Sequence, residues 1–133
     1  MKTVLVTGAS GFIGKNLCAH LQIRDDIILL EFNRDSSLEQ LSEYVAKADF
    51  IYHLAGVNRP KNEDEFVTDN HKLTEKIVEL LKNTEKRIPI LLTSSAQAEL
   101  DNPYGRSKAA AENTIVKWSK EVKCPVFIYR LPG

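Results

Sequence analysis

The chain has 133 residues, 43% hydrophobic and 27% charged, with a formal net charge of zero at neutral pH. That length holds one domain around one core, and the charge balance gives no electrostatic case for nucleic acid or an acidic membrane surface as a partner. No apolar run reaches the ~18 residues of a membrane span, and the N-terminus enters a strand pattern with no secretory signal before it, so a cytoplasmic protein is expected.

The first apolar run is TVLVT (Thr3–Thr7), followed by glycine-rich GASGFIG and a stripe of Phe12, Ile13, Leu17 and Leu21 at helical spacing. IILLEF (Ile27–Phe32) is a second strand, and Leu38, Leu41, Val45 and Ala48 mark a second helix. DFIYHLA (Asp49–Ala55) is a third strand, with Phe66, Leu73, Ile77, Leu80 and Leu81 on the helix after it. ILLTS (Ile90–Ser94) and VFIYR (Val126–Arg130) are the fourth and fifth strands, separated by a helix with Ala111, Ile115 and Trp118 on its inner face. The strand runs are short and largely continuous, as strands buried on both faces are. Strands alternating with helices predict an α/β fold with a doubly wound parallel sheet. The expected strand order is 3-2-1-4-5, the dinucleotide-binding (Rossmann) arrangement without its last strand. Cys18 and Cys124 have no metal-ligand spacing and read as free core thiols in a reducing compartment; no metal site is expected.

Glycines at positions 8, 11 and 14 stand between the first strand and the first helix. A doubly wound fold binds phosphate there, because a helix N-terminus offers unpaired N–H groups and a partial positive charge. Glycine lets the backbone turn sharply and approach a pyrophosphate without a Cβ in the way. Gly14-Lys15 suggests a nucleoside-triphosphate loop, but that motif needs glycine at Ala9 and Ser or Thr at Asn16.

TGASGFIG resembles the cofactor loop of the extended short-chain dehydrogenase/reductase family, the nucleotide-sugar epimerases, dehydratases and reductases. HLAG (His53–Gly56) resembles the family's cofactor-lining segment, and NHKLT (Asn70–Thr74) its N-x-x-x-T helix motif. PYGRSK (Pro103–Lys108) resembles its catalytic Y-x-x-x-K, and TSSA (Thr93–Ala96) stands where the family keeps a catalytic Ser or Thr. The resemblance implies an NAD(P)-binding Rossmann domain over residues 1–133. Thr7, Gly8, Gly11, Phe12, Ile13, Gly14, Leu54, Ala55, Gly56 and Lys108 would then meet the cofactor. Ser95, Tyr104 and Lys108 would be catalytic, Asn70 would support the Tyr-Lys pair, and Arg59 would meet a phosphate.

The Tyr-Lys spacing also has a chemical logic. Tyr104 and Lys108 share a helix face. A phenol with a pKa near 10 is a poor acid at neutral pH, and an adjacent ammonium favours its phenolate, which moves it toward the working range of acid–base catalysis. Tyr104 could then protonate a substrate oxygen that Ser95 also hydrogen-bonds.

The segments KADFIYHLAGVNRP, SSAQAELDNPYGRSK and FIYRLPG narrow the resemblance to bacterial reductases of capsular-polysaccharide synthesis. These act on a UDP-activated amino-deoxy sugar on the way to L-N-acetylfucosamine. The resemblance implies a 4-keto UDP-sugar substrate and a homodimer in the full-length enzyme. Family members continue beyond R-x-P with a sugar-nucleotide domain, so the chain is expected to be an N-terminal portion lacking the C-terminal substrate domain. The alternatives are an epimerase or dehydratase with tightly held NAD, and a non-catalytic NAD(P)-sensing module.

Cofactor choice turns on the end of strand two. NAD-binding folds place an acidic residue there, about 20 residues past the glycine loop, for the ribose hydroxyls. Asn33 and Arg34 occupy this place: Asn33 repels no phosphate, and Arg34 can pair with a 2′-phosphate. NADP(H) is favoured. NAD(H) is the alternative if the strand ends two residues earlier and Glu31 takes the acidic position.

Overall fold

The computed structural model describes residues 1–33, 35–54 and 71–131, and of Tyr104 the backbone only. In chain order the elements are β1 (Lys2–Thr7), α1 (Phe12–Gln22), β2 (Ile27–Phe32), α2 (Leu38–Lys47), β3 (Phe50–His53), α3 (Leu73–Asn83), β4 (Ile90–Ser95), a short 3₁₀ helix (Ala96–Glu99), α4 (Pro103–Val122) and β5 (Val126–Leu131). The strands form one parallel sheet in the order β2-β1-β3-β4-β5.

The doubly wound parallel sheet is as expected, but the order 3-2-1-4-5 is corrected to 2-1-3-4-5. The strand after α2 does not extend the edge beyond β2; it returns across the sheet and pairs with β1. Two hydrogen bonds fix the return. The Thr3 N–H donates to Asp49 Oδ2 at 2.8 Å, and the Asp49 N–H donates to the Thr3 carbonyl at 2.7 Å. Composition agrees: β2 carries Glu31 and a half-exposed Ile28, which suits an edge, whereas Ile51 and His53 of β3 are fully buried. The reversal of direction lies between β1 and β3, and the crevice at their carboxyl ends is where such sheets take ligands.

Helices cover the two faces unequally, as right-handed crossovers require of this strand order. On one face α1 packs Cys18 and Leu21 against Val4 and Val6. On the other, α2, α3 and α4 bury Leu41, Val45, Ile77, Leu81, Ile115 and Trp118 against Leu5, Ile51, Ile90 and Leu92. Three residues of the expected helix stripes lie outside this core. Phe12 is 86% exposed, Ile13 45% and Leu38 60%. Each stands in the opening turn of its helix, before the stripe has turned inward. Phe66 lies outside the described residues.

Candidate active site

The glycine loop is built around one left-handed residue and one close approach. Gly8 has φ of 69°, a conformation that L side chains rarely adopt. A Cβ on Gly14 would strike the Gly8 carbonyl oxygen and lie 2.9 Å from Ala9 Cα, so α1 can sit this close to the loop only with glycine there. Gly11 caps the helix without a side-chain hydrogen bond, and the first turn carries no acidic residue. The N-terminus of this 11-residue helix therefore keeps its positive end free of any carboxylate from its own first turn. A dinucleotide pyrophosphate fits this cradle.

Asn33 follows β2 at the same end of the sheet. Its Oδ1 accepts from the Ser10 N–H at 2.8 Å, and its own N–H donates to Ser36 Oγ at 3.0 Å, which ties the loop after β2 to the glycine loop. Phe32 is buried and ends the strand, while Glu31 interacts with Cys18 of α1, whose thiol is pushed up to about 12 by burial and by this carboxylate. The strand thus runs on past Glu31 to Phe32, and Asn33 is the first residue beyond it.

His53 is the buried centre of the crevice floor. Its Nδ1 lies 2.6 Å from Thr7 Oγ1 and its Nε2 2.8 Å from Thr74 Oγ1, joining β1, β3 and the first turn of α3. Burial, reinforced by the positive charge of Lys108, pushes the imidazole down to about 3, so it is neutral and serves as a strut. Leu54 continues from His53, donating its N–H to the Thr7 carbonyl at 3.2 Å.

Ser95 ends β4 and is buried, with its Oγ accepting from the Gln97 N–H at 3.1 Å. The 3₁₀ helix fills the short span from there to α4. Asn102 caps α4, accepting at Oδ1 from the Gly105 N–H at 2.7 Å. A Cβ on Gly105 would strike the Gln97 carbonyl oxygen and lie 2.6 Å from that of Leu100, so the opening turn of α4 is seated directly on the 3₁₀ helix. Tyr104 occupies that turn. One turn on, Lys108 is only 6% exposed, and burial pushes its ammonium down to about 8 while the Glu112 carboxylate pulls the other way.

The structure therefore gathers Thr7, Gly8, Gly11, Gly14, Asn33, Leu54 and Ser95 at the carboxyl ends of the strands, with Lys108 buried in α4 beyond Ser95. Phe12 and Ile13 stand exposed at the start of α1, beside the loop. Arg34, Ala55, Gly56, Arg59 and Asn70 lie outside the described residues, as does the Tyr104 side chain. Sequence reasoning missed the Thr7–His53–Thr74 bridge, the seat at Gly105, and the contact of Arg130 with Glu112 and Glu99. A glycine in a helix's opening turn signals a close approach, and Glu112 four residues past Lys108 signals a shared face. Nothing in the sequence announces the partnership with Arg130.

The sequence profile of the NAD dependent epimerase/dehydratase family matches residues 4–132. The chain is 50% identical over 130 residues to the UDP-2-acetamido-2,6-beta-L-arabino-hexul-4-ose reductase of Pseudomonas aeruginosa, a match that takes in 98% of this chain and 35% of that protein. Among solved structures it resembles the capsular polysaccharide assembling protein CapF from Staphylococcus aureus, with a TM-score of 0.83 and 42% identity over 98% of this chain and 35% of that one. A UDP-glucuronic acid 4-epimerase from Bacillus cereus in complex with NAD shares the fold, with a TM-score of 0.84 and 21% identity over 98% of this chain and 55% of that one. The chain thus spans about a third of the length of the reductase and of CapF.

Proposed function

Since the chain belongs to the NAD dependent epimerase/dehydratase family, we propose that it is the cofactor-binding and catalytic portion of a nucleotide-sugar reductase. Residues 1–133 form its NAD(P)-binding domain. The substrate is a 4-keto UDP-amino-deoxy sugar, and the product serves capsular-polysaccharide synthesis of the L-N-acetylfucosamine type. The observation that carries this reading is the 50% identity to a UDP-sugar reductase over 98% of the chain.

The glycine loop and the open N-terminus of α1 would hold the pyrophosphate, and Asn33 with Arg34 the adenosine ribose. When bound, the nicotinamide supplies the hydride that reduces the sugar carbonyl. Tyr104 gives its phenolic proton to the carbonyl oxygen as that oxygen gains charge, and Ser95 donates a hydrogen bond to it. The Lys108 ammonium favours the phenolate left behind. With its ammonium at about 8, Lys108 is still mostly protonated at neutral pH.

NADP(H) is the proposed cofactor. The burial of Phe32 and the engagement of Glu31 with Cys18 favour the Asn33–Arg34 register over the acidic one. The enzyme would work in the cytoplasm, where the buried thiols of Cys18 and Cys124 stay reduced, and would pair through the helices that follow β3 and β4.

The test is sugar-nucleotide reduction by the full-length protein. Tyr104→Phe should lower turnover by about 10²- to 10⁴-fold with cofactor affinity little changed. Unchanged turnover overturns the catalytic assignment, and a tightly held NAD with no net reduction points to an epimerase or dehydratase. Tighter binding of NADPH than NADH, weakened by salt and lost in Arg34→Ala, supports the cofactor choice. Equal or tighter NADH binding, indifferent to Arg34, overturns it. Sedimentation as a monomer at high concentration overturns the pairing.

A further inference from the structure

Behind Lys108 stands an ion cluster that the proposed reaction does not use. Glu112, one turn further along α4, is buried to 8% exposure. It is gripped from β5 by a two-point contact: Arg130 Nε donates to Oε2 at 2.9 Å and Nη2 to Oε1 at 2.8 Å. Arg130 also donates from Nη1 to Glu99 Oε1 of the 3₁₀ helix at 3.0 Å. A long side chain on an edge strand thus holds a carboxylate under the helix face that carries Lys108. Paired carboxylates on Arg130 leave one negative charge over, so the cluster is neutral overall only when Lys108 carries its proton.

We propose that Glu112, clamped by Arg130, is a positioning residue for Lys108: it supplies the counter-charge of the buried ammonium, and Arg130 sets how much of that charge the ammonium feels. This rests on the reading of Lys108 as the partner of Tyr104. The charged and titratable groups around Lys108 come from several elements. On its own helix the described one is Glu112, and the backbone of Tyr104 lies one turn earlier. His53 comes from β3, and Arg130 and Glu99 lie behind Glu112. β4 brings no titratable side chain, only hydroxyls at this end. Charged residues of α3 are engaged at the surface, Glu75 with His71 just before the helix, Lys76 with Glu79, and Lys82 with Glu121. Among the described residues, Glu112 is therefore the carboxylate placed to hold the proton on Lys108. Burial alone would drive that proton off, and the carboxylate opposes it.

A purely structural tie and a charge clamp differ in the sign of their effects. The experiment follows the Lys108 ammonium by NMR in lysine-labelled protein, with Lys108→Met assigning the signal. Wild type should titrate near pH 8. Glu112→Gln should lower the midpoint by on the order of one unit, because the counter-charge is gone. Arg130→Met should raise it, because the carboxylate is no longer shared. Glu99→Gln, at an exposed carboxylate, should leave it nearly unmoved. Where Arg130→Met fails to fold, Arg130→Lys, which keeps a charge but not the two-point contact, should move the midpoint upward by less. Shifts of one sign in the Glu112 and Arg130 variants, or no shift in Glu112→Gln, overturn the proposal. No sugar nucleotide is needed, so the titration decides even where the reductase assay finds no turnover. Where turnover is found, the alkaline limb of its pH profile should move with the Lys108 midpoint in each variant.

Discussion

At the scale of single residues, His53 and Gly14 show how little freedom the site allows. A histidine held neutral at about 3 in the folded chain takes up its proton near 6.5 once unfolded. Between those values the unfolded state binds the extra proton, so stability falls as pH drops from 6.5 toward 3, by up to about 1.4 kcal/mol per unit. Denaturant unfolding between pH 6.5 and 5, above most carboxylate titration, should show this slope in wild type and lose it in His53→Gln. Equal slopes would mean the imidazole is not held neutral. Gly14→Ala should abolish dinucleotide binding, because the added carbon meets loop backbone that has no flexible end to move aside; calorimetric titration with NADPH checks it. The role of Gly14 was legible in the sequence, since the glycine spacing states a backbone requirement. The hydrogen bonds of His53 were not, because Thr7 and Thr74 reach it from elements whose juxtaposition only the fold decides. The clamp on Glu112 was hidden for the same reason: its arginine lies on another element, 18 residues away.

Elements were legible in the sequence where periodicity was strong. The second strand was read at its observed bounds, Ile27–Phe32, and the others differ by a residue or two at their ends. Their order was not legible, because apolar runs of similar character fit several neighbours. The choice of β1 as the partner of β3 is made by local contacts such as Asp49 with Thr3. Strand pairing still placed the glycine loop, Ser95 and the residues after β2 at one end of the sheet, since parallel strands all finish there. The seat of α4 is the element on which the Tyr104 turn depends. Asn102→Ala removes the cap of the Gly105 N–H and should cost about 1 kcal/mol of unfolding free energy. Gly105→Ala should cost more, because its Cβ meets two carbonyl oxygens of the preceding segment. Urea denaturation ranks the two variants, and an Asn102→Ala loss equal to or larger than that of Gly105→Ala would show that the seat is looser than the geometry implies.

Across the whole molecule, the two faces of the sheet are unequally sealed. Three helices close one face over Ile51, Ile90 and Leu92, while α1 packs the other face at β1 and β2. Alternation along β5 turns Val126 and Ile128 toward the three-helix face and leaves Phe127, Tyr129 and Leu131 on the opposite side. Phe127 is 43% exposed, Tyr129 57% and Leu131 37%, in a row at every second position of an edge strand. Contiguous exposed apolar surface on a sheet edge promotes association with apolar molecules and with other chains. Tyr129 is the most exposed of the three and contributes least to the core. Replacing it with lysine, a residue that natural edges use to blunt pairing, should lower the fluorescence of a bound hydrophobic dye and reduce light scattering at high concentration. Stability should change by no more than about 0.5 kcal/mol, as for surface positions generally. A Tyr129→Lys protein that binds dye as before but unfolds much more easily would show that this face is covered in solution and that the tyrosine is part of what seals it.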